Sequence, residues 1–110
     1  MTRQTLAGVS LALLVACGAE PEPDPLASYP NIPTAFGDRM LGMSCAHLDF
    51  TGDAVRSIRR FGEGGARLAM VMPLRSTNQT SIFDALTGMN PQARTETFEF
   101  ARQLRREKDC

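Results

Sequence analysis

Five prolines in a short stretch limit where this chain can form a packed domain. They are Pro21, Pro23, Pro25, Pro30 and Pro33, and they alternate with acidic and small residues. Such a composition favours extended, polyproline-like conformations and supplies few side chains for a core. We therefore expect a disordered tether over residues 17–35 and one small folded domain over residues 36–110.

A short apolar run precedes these prolines. Arg3 supplies a positive charge near the N-terminus, and the run extends over residues 6–16. A helix that crosses a bilayer needs about 20 apolar residues, so this run is too short for a stable span. The run ends in Leu14-Val15-Ala16-Cys17, in which a small residue directly precedes a cysteine. This ending resembles the lipobox of bacterial lipoprotein signal peptides.

The resemblance implies an address in the bacterial cell envelope. Residues 1–16 would be a cleaved signal peptide, and Cys17 would become the lipid-modified first residue of the mature chain. Two or more acyl chains anchor a protein stably, since each buried methylene contributes about 0.8 kcal/mol. In this family an aspartate after the cysteine retains the protein in the inner membrane, so Gly18 indicates the outer membrane, facing the periplasm. The alternative is an ordinary secretory signal in which Cys17 is incidental.

The charge balance argues against a nucleic-acid partner. The chain has 12 Lys and Arg residues against 12 Asp and Glu residues, and removal of Arg3 with the signal leaves it close to neutral. A nucleic-acid-binding domain would show a marked basic excess. An envelope address points the same way, so we expect no nucleic acid among the partners.

Two cysteines remain once Cys17 carries lipid. Cys45 and Cys110 would lie in an oxidising compartment, and small domains often rely on a covalent staple, so we predict a disulfide between them. A bridge across so long a loop stabilises a fold by roughly 4 kcal/mol. Free thiols and an intermolecular bridge are the alternatives.

The spacing of apolar residues predicts an α+β fold. Residues 45–50 alternate between apolar and polar, which favours a strand. Residues 53–61 have the apolar spacing of a helix, which is predicted to end at Gly62. Residues 66–72 alternate again and predict a second strand. Strand, helix, strand is the outline of a βαβ unit. The competing interpretation is a helical hairpin, against which the glycines at positions 62, 64 and 65 argue.

Two helices are predicted to follow. Ser81 is expected to cap the first, which ends at Gly88, and Asn90-Pro91 to open the second. A buried stripe is predicted on the second helix: Phe98, Ala101 and Leu104. No internal repeat is visible in the sequence. We therefore expect a small α+β domain in which helices cover one face of two or three strands.

Four soft ligands cluster near residue 45. They are Met40, Met43, Cys45 and His47. Thioether, thiolate and imidazole groups suit copper(I), and Cys45 and His47 would share one side of the predicted strand. Copper binding is therefore an alternative function, set against the use of methionine as core filler and of Cys45 in a disulfide. A small periplasmic enzyme, with Cys45 as nucleophile and His47 as its base, is a further alternative.

Two arginine groups predict a basic surface. The first consists of Arg56, Arg59 and Arg60, and the second includes Arg105 and Arg106. In an envelope protein such groups contact lipid phosphates, lipopolysaccharide or an acidic partner surface. The sequence contains none of the common hydrolase or redox motifs. We therefore expect a non-catalytic, membrane-anchored lipoprotein without a cofactor, which acts through contacts with a protein or the cell wall.

Overall fold

The computed structural model describes residues 24–70 and 76–110, and over these residues the secondary structure is helical. A 3₁₀ turn at Pro25–Ser28 is followed by four α-helices: α1 (Thr34–Leu41), α2 (Cys45–Ala69), α3 (Thr77–Thr87) and α4 (Pro91–Glu107). The described residues contain no strand, so the prediction of an α+β fold with a βαβ unit is wrong. The predicted signal peptide, Cys17 and tether residues 17–23 lie outside the described residues.

The predicted strand at residues 45–50 is the beginning of α2. Ser44 caps this helix, because its Oγ accepts a hydrogen bond from the backbone N–H of His47 at 3.2 Å. A six-residue window is too short to separate a period of two from a period of 3.6. Over a longer window the buried positions of α2 recur every three or four residues: Leu48, Thr51, Val55 and Ile58.

Gly62 interrupts the helical geometry of α2 and divides it into two helical segments that meet at a kink. Its φ of 76° lies in the left-handed region that favours glycine, as expected of a predicted helix stop. Beyond this bend, however, the chain returns to helical geometry and continues to Ala69. The predicted strand at residues 66–72 is therefore wrong over its described part, and residues 71–72 lie outside that part.

Helix α3 is present where a helix was predicted, but it begins earlier. Its cap is Ser76 and not Ser81. The Ser76 Oγ accepts a hydrogen bond from the Gln79 N–H at 3.1 Å. In return, the Gln79 Oε1 accepts one from the Ser76 N–H at 3.3 Å. This reciprocal pair is a capping box. The predicted end at Gly88 is confirmed.

The prediction for α4 is confirmed at its start. The Asn90 Oδ1 accepts a hydrogen bond from the backbone N–H of the third residue of the helix at 2.8 Å. Ala101 and Leu104 are buried as predicted, whereas Phe98 is half-buried. The fully buried aromatic ring of this helix is Phe100.

One hydrophobic core joins the helices. The largest of its fully buried side chains are Phe83, Phe100, Met40, Leu48 and Ile82. Part of the predicted tether contributes too, since Ile32 is buried and both Leu26 and Tyr29 pack against the core. The Tyr29 hydroxyl also donates a hydrogen bond to the Gln103 Oε1 at 2.7 Å. The packed region therefore includes side chains that precede residue 36, the predicted start of the domain.

Helices α1–α2 and α3–α4 repeat one arrangement, two helices joined by a short turn, which we call a hairpin. The helices of each hairpin pack mainly against helices of the other hairpin. Each hairpin has a Gly-Met turn, Gly42-Met43 or Gly88-Met89, separated by 46 residues in the sequence. The residue after each methionine, Ser44 or Asn90, caps the long helix that follows. The expectation that the chain lacks an internal repeat is therefore wrong. The alternation of apolar and polar residues at positions 45–50 resembles a strand and hides their correspondence to the start of α4.

A buried threonine lies at the same place in both hairpins. The Thr51 Oγ1 donates a hydrogen bond to the His47 carbonyl at 2.7 Å, and the Thr97 Oγ1 donates one to the Ala93 carbonyl at 2.8 Å. Each hydroxyl also lies 3.6 Å from the sulfur of the methionine in its own turn. The two hairpins thus share side-chain contacts as well as sequence.

Candidate functional site

The predicted cysteine pair lies at bonding distance. The Cys45 and Cys110 sulfur atoms are 2.04 Å apart and form a disulfide, with their Cα atoms 5.7 Å apart. The bridge joins the N-terminus of α2 to the segment after α4. It closes a loop whose ends are 65 residues apart in sequence.

The four predicted soft ligands do not supply a thiolate–thioether–imidazole set. Cys45 is bonded to a second sulfur, and the side chains of Met40 and Met43 are buried in the core. His47 is half-buried on α2. Residues two apart on a helix are rotated by about 200° around its axis, so Cys45 and His47 lie on nearly opposite sides. The prediction that they share one side is wrong. Among the described residues, no three His, Cys, Asp or Glu side chains are placed to hold a metal ion. The disulfide also removes the thiolate that the enzymatic alternative requires.

The two predicted arginine groups line one face of the molecule. Helices α2 and α4 pack against each other, and the groove between them is lined by Arg56 from α2 and by Arg102 and Arg105 from α4. Shallow depressions on either side of this groove are lined by the other members of the two groups. We refer to these six residues as the arginine band: Arg56, Arg59, Arg60, Arg102, Arg105 and Arg106.

Arg102 was not among the predicted site residues. A signal for it exists, however, because the spacing Arg56-x₂-Arg59-Arg60 recurs as Arg102-x₂-Arg105-Arg106. Side chains three and four residues apart share one side of a helix, so each trio projects together.

Neighbouring carboxylates compensate only part of the band. Arg56 pairs with Asp53 at 2.6 Å, and Arg105 pairs with Asp49 at 2.7 Å. The remaining members have no carboxylate at ion-pairing distance within the described part of the chain: Arg59, Arg60, Arg102 and Arg106. The face therefore carries an excess of positive charge although the whole chain is near neutral.

Two phenylalanine rings lie among these arginines. The guanidinium carbons of Arg56 and Arg59 are each 5.8 Å from the centroid of the half-buried Phe98 ring. Phe61 is 51% exposed, and the Arg60 guanidinium carbon lies 5.3 Å from its ring centroid. These distances fall within the range of cation–π contacts. The face thus combines positive charge with accessible apolar surface.

Comparisons with known proteins give no family for this chain. No protein-family model matches it, and no curated protein or solved structure matches it either. None of the helices described here has the length and apolarity needed to cross a bilayer. The functional conclusion therefore depends on the chain's own residues.

Proposed function

We propose that the protein is a non-catalytic, lipid-anchored protein of the bacterial cell envelope that docks an acidic segment of a partner protein on the arginine band. The observation that carries this proposal is the convergence of two arginine groups, from α2 and α4, on one face. Four of the six arginines lack a carboxylate partner among the described residues, so a ligand with negative charge would complement them.

The composition of the face favours a protein over a membrane or a uniformly charged polymer. Arginine and aromatic residues are enriched at protein–protein interfaces, and both types occur here. Asp49 and Asp53 interrupt the positive charge along the groove. A plane of lipid phosphates would be repelled by these two carboxylates, whereas a protein segment can place its own charges to match both signs.

The proposed anchor sets where the partner lies. Cys17 would carry the acyl chains, with Gly18 directing the protein to the outer membrane. Because Leu26 already packs against the core, about nine residues separate the anchor from the folded part. In an extended conformation, at about 3.1 Å per residue, nine residues would reach roughly 30 Å. The partner would therefore be a membrane-proximal periplasmic protein.

The proposal is tested by titrating the full chain, in nonionic detergent and low salt, with a fluorescein-labelled hexaglutamate peptide. The variant Arg60→Gln/Arg106→Gln removes one uncompensated arginine from each group. We expect about a tenfold loss of affinity, since a charge-assisted contact is lost in each trio.

The matched control is Arg39→Gln/Arg67→Gln. It removes the same charge from exposed or half-exposed arginines outside the band, and we expect less than a threefold loss. Equal losses in the two variants would show attraction by net charge alone and contradict a docking face. Binding to phosphatidylglycerol vesicles without binding to the peptide would contradict a protein partner.

A further inference from the structure

Contacts between α2 and α4 occur in symmetric pairs. The Arg105 Nε lies 2.7 Å from the Asp49 Oδ1, and the Arg59 Nη2 lies 3.3 Å from the Thr95 Oγ1. With the 46-residue spacing of the hairpins, Arg59 corresponds to Arg105 and Asp49 corresponds to Thr95. The two contacts are therefore equivalent: each one becomes the other when the two hairpins are exchanged. An approximate twofold axis that relates two antiparallel helices produces such pairs.

The axis passes through the groove. Gly52 and Phe98 are equivalent residues, and they face each other: a Cβ built on Gly52 would lie 3.8 Å from the Phe98 ring. Arg56 and Arg102 are also equivalent, and both line this groove. Equivalent residues come together only near the axis that relates them.

The equivalence extends to the whole arginine band. Eight of the 27 residues in 34–60 are identical to the residues 46 positions later, and all three arginines of each trio are among them. The depression beside the groove on α2 is lined by Arg56, Arg59 and Arg60. The corresponding depression on α4 is lined by their three counterparts. The arginine positions of the band thus repeat, although Phe61 beside the first trio has Glu107 as its counterpart beside the second.

We propose that the band is a pair of equivalent half-sites and that its partner presents two copies of one acidic segment related by a twofold axis, as a homodimer does. This inference rests on the proposed function and specifies its partner. Two matching half-sites on either side of an axis bind two matching segments without distortion of either molecule. A single acidic segment would leave half of the band unoccupied.

Each half-site has one arginine with a carboxylate partner: Arg56 pairs with Asp53 in the first, and Arg105 pairs with Asp49 in the second. The counterpart of Asp49 is Thr95, which contacts Arg59 without a charge. The half-sites also differ in their aromatic neighbours, because phenylalanine rings lie beside the arginines of the first trio. The substitution Asp49→Thr makes the two half-sites alike at this position.

The spacing of the half-sites fixes the design of a bivalent probe. Arg60 follows Gly52 by eight residues, and Arg106 follows Phe98 by eight, so each trio extends about 12 Å from the axis at 1.5 Å per residue. The outer ends then lie about 24 Å apart. A 16-residue Gly-Ser linker has a root-mean-square span of about 22 Å and suits this separation.

The experiment is calorimetric titration of the full chain, in nonionic detergent, with two peptides. One is hexaglutamate, and the other carries two hexaglutamate segments joined by the 16-residue linker. We expect two single peptides per chain with affinities within tenfold of each other. We expect one linked peptide per chain, bound about 100-fold more tightly than a control in which one segment is hexaglutamine. In Asp49→Thr, Arg105 loses its carboxylate partner, so one of the two single-peptide affinities should increase and the other should stay unchanged.

The outcomes separate this inference from the proposed function. One hexaglutamate per chain, with the linked peptide no tighter than its hexaglutamine control, would overturn the pair of half-sites and leave the docking face intact. Two unchanged affinities in Asp49→Thr would contradict a half-site that includes Arg105. Binding of neither peptide would overturn both proposals.

Discussion

At the scale of single residues, Gly62 and Gly64 lie close together in α2 but in different conformations. Gly62 has a φ of 76°, whereas Gly64 is helical, and a Cβ at either position would meet no atom within 4 Å. Backbone conformation alone therefore distinguishes the two sites. Of these two glycines, only Gly62 has a backbone conformation that requires a residue without a side chain.

We expect Gly62→Ala and Gly64→Ala to change stability in opposite directions. Gly62→Ala should lower the free energy of unfolding by about 1–2 kcal/mol, because alanine is strained in the left-handed region. Gly64→Ala should raise it by about 0.5–1 kcal/mol, because alanine is the better helix former. Urea denaturation followed by circular dichroism measures both changes. A change of the same sign in the two variants would contradict the bend at Gly62.

At the scale of secondary-structure elements, local signals predicted α4 well. Asn90-Pro91 supplies a capping side chain and a favourable first residue, and Gly88 ends the helix before it. These signals act within a few residues of one another, so tertiary packing did not override them. The apolar spacing at the start of α2 is ambiguous, because over six residues Leu48 and Phe50 fit a strand as well as a helix. The helical spacing emerges only when Thr51 and Val55 are included.

The candidate site, like the start of α2, could be predicted only as far as local sequence patterns reach. Five of the six arginines of the band were predicted as members of two basic groups: Arg56, Arg59, Arg60, Arg105 and Arg106. Their convergence could not be predicted, since it depends on the antiparallel packing of α2 and α4. The sequence signal that identifies Arg102 as a member of the band is the 46-residue repeat, in which it corresponds to Arg56. The predicted soft-ligand cluster does not form, for a related reason. Cys45 and His47 lie on different sides of α2, Cys45 is bonded to Cys110, and Met43 is buried in the core.

At the scale of the whole molecule, the disulfide ties the two hairpins together. Cys45 begins α2 in the first hairpin, and Cys110 follows α4 in the second. The two helices are antiparallel, so the bridge lies at the end of the interface where Asp49 contacts Arg105. It closes residues 45–110, which include α2, α3 and α4, into one loop and restricts the unfolded chain accordingly.

Removal of the bridge should therefore be costly. We expect Cys45→Ala/Cys110→Ala to lower the free energy of unfolding by about 4 kcal/mol, the chain-entropy value for a loop of this length. Urea denaturation of the oxidised protein and of the variant measures the difference. As a control, the reducing agent tris(2-carboxyethyl)phosphine should destabilise the unmodified protein to a similar extent and leave the variant unchanged. A loss below about 1 kcal/mol would contradict the stabilising role of the bridge.

The proposed role combines a lipid anchor at Cys17 with a disulfide-closed domain, and intact-mass spectrometry reports on both together. The protein would be extracted from membranes of a bacterium that processes lipoproteins and measured before and after reduction and alkylation. We expect a chain that begins at Cys17, carries three acyl chains, and gains two alkyl groups only after reduction. An unlipidated mass would contradict the anchored role, and alkylation without reduction would contradict the closed domain.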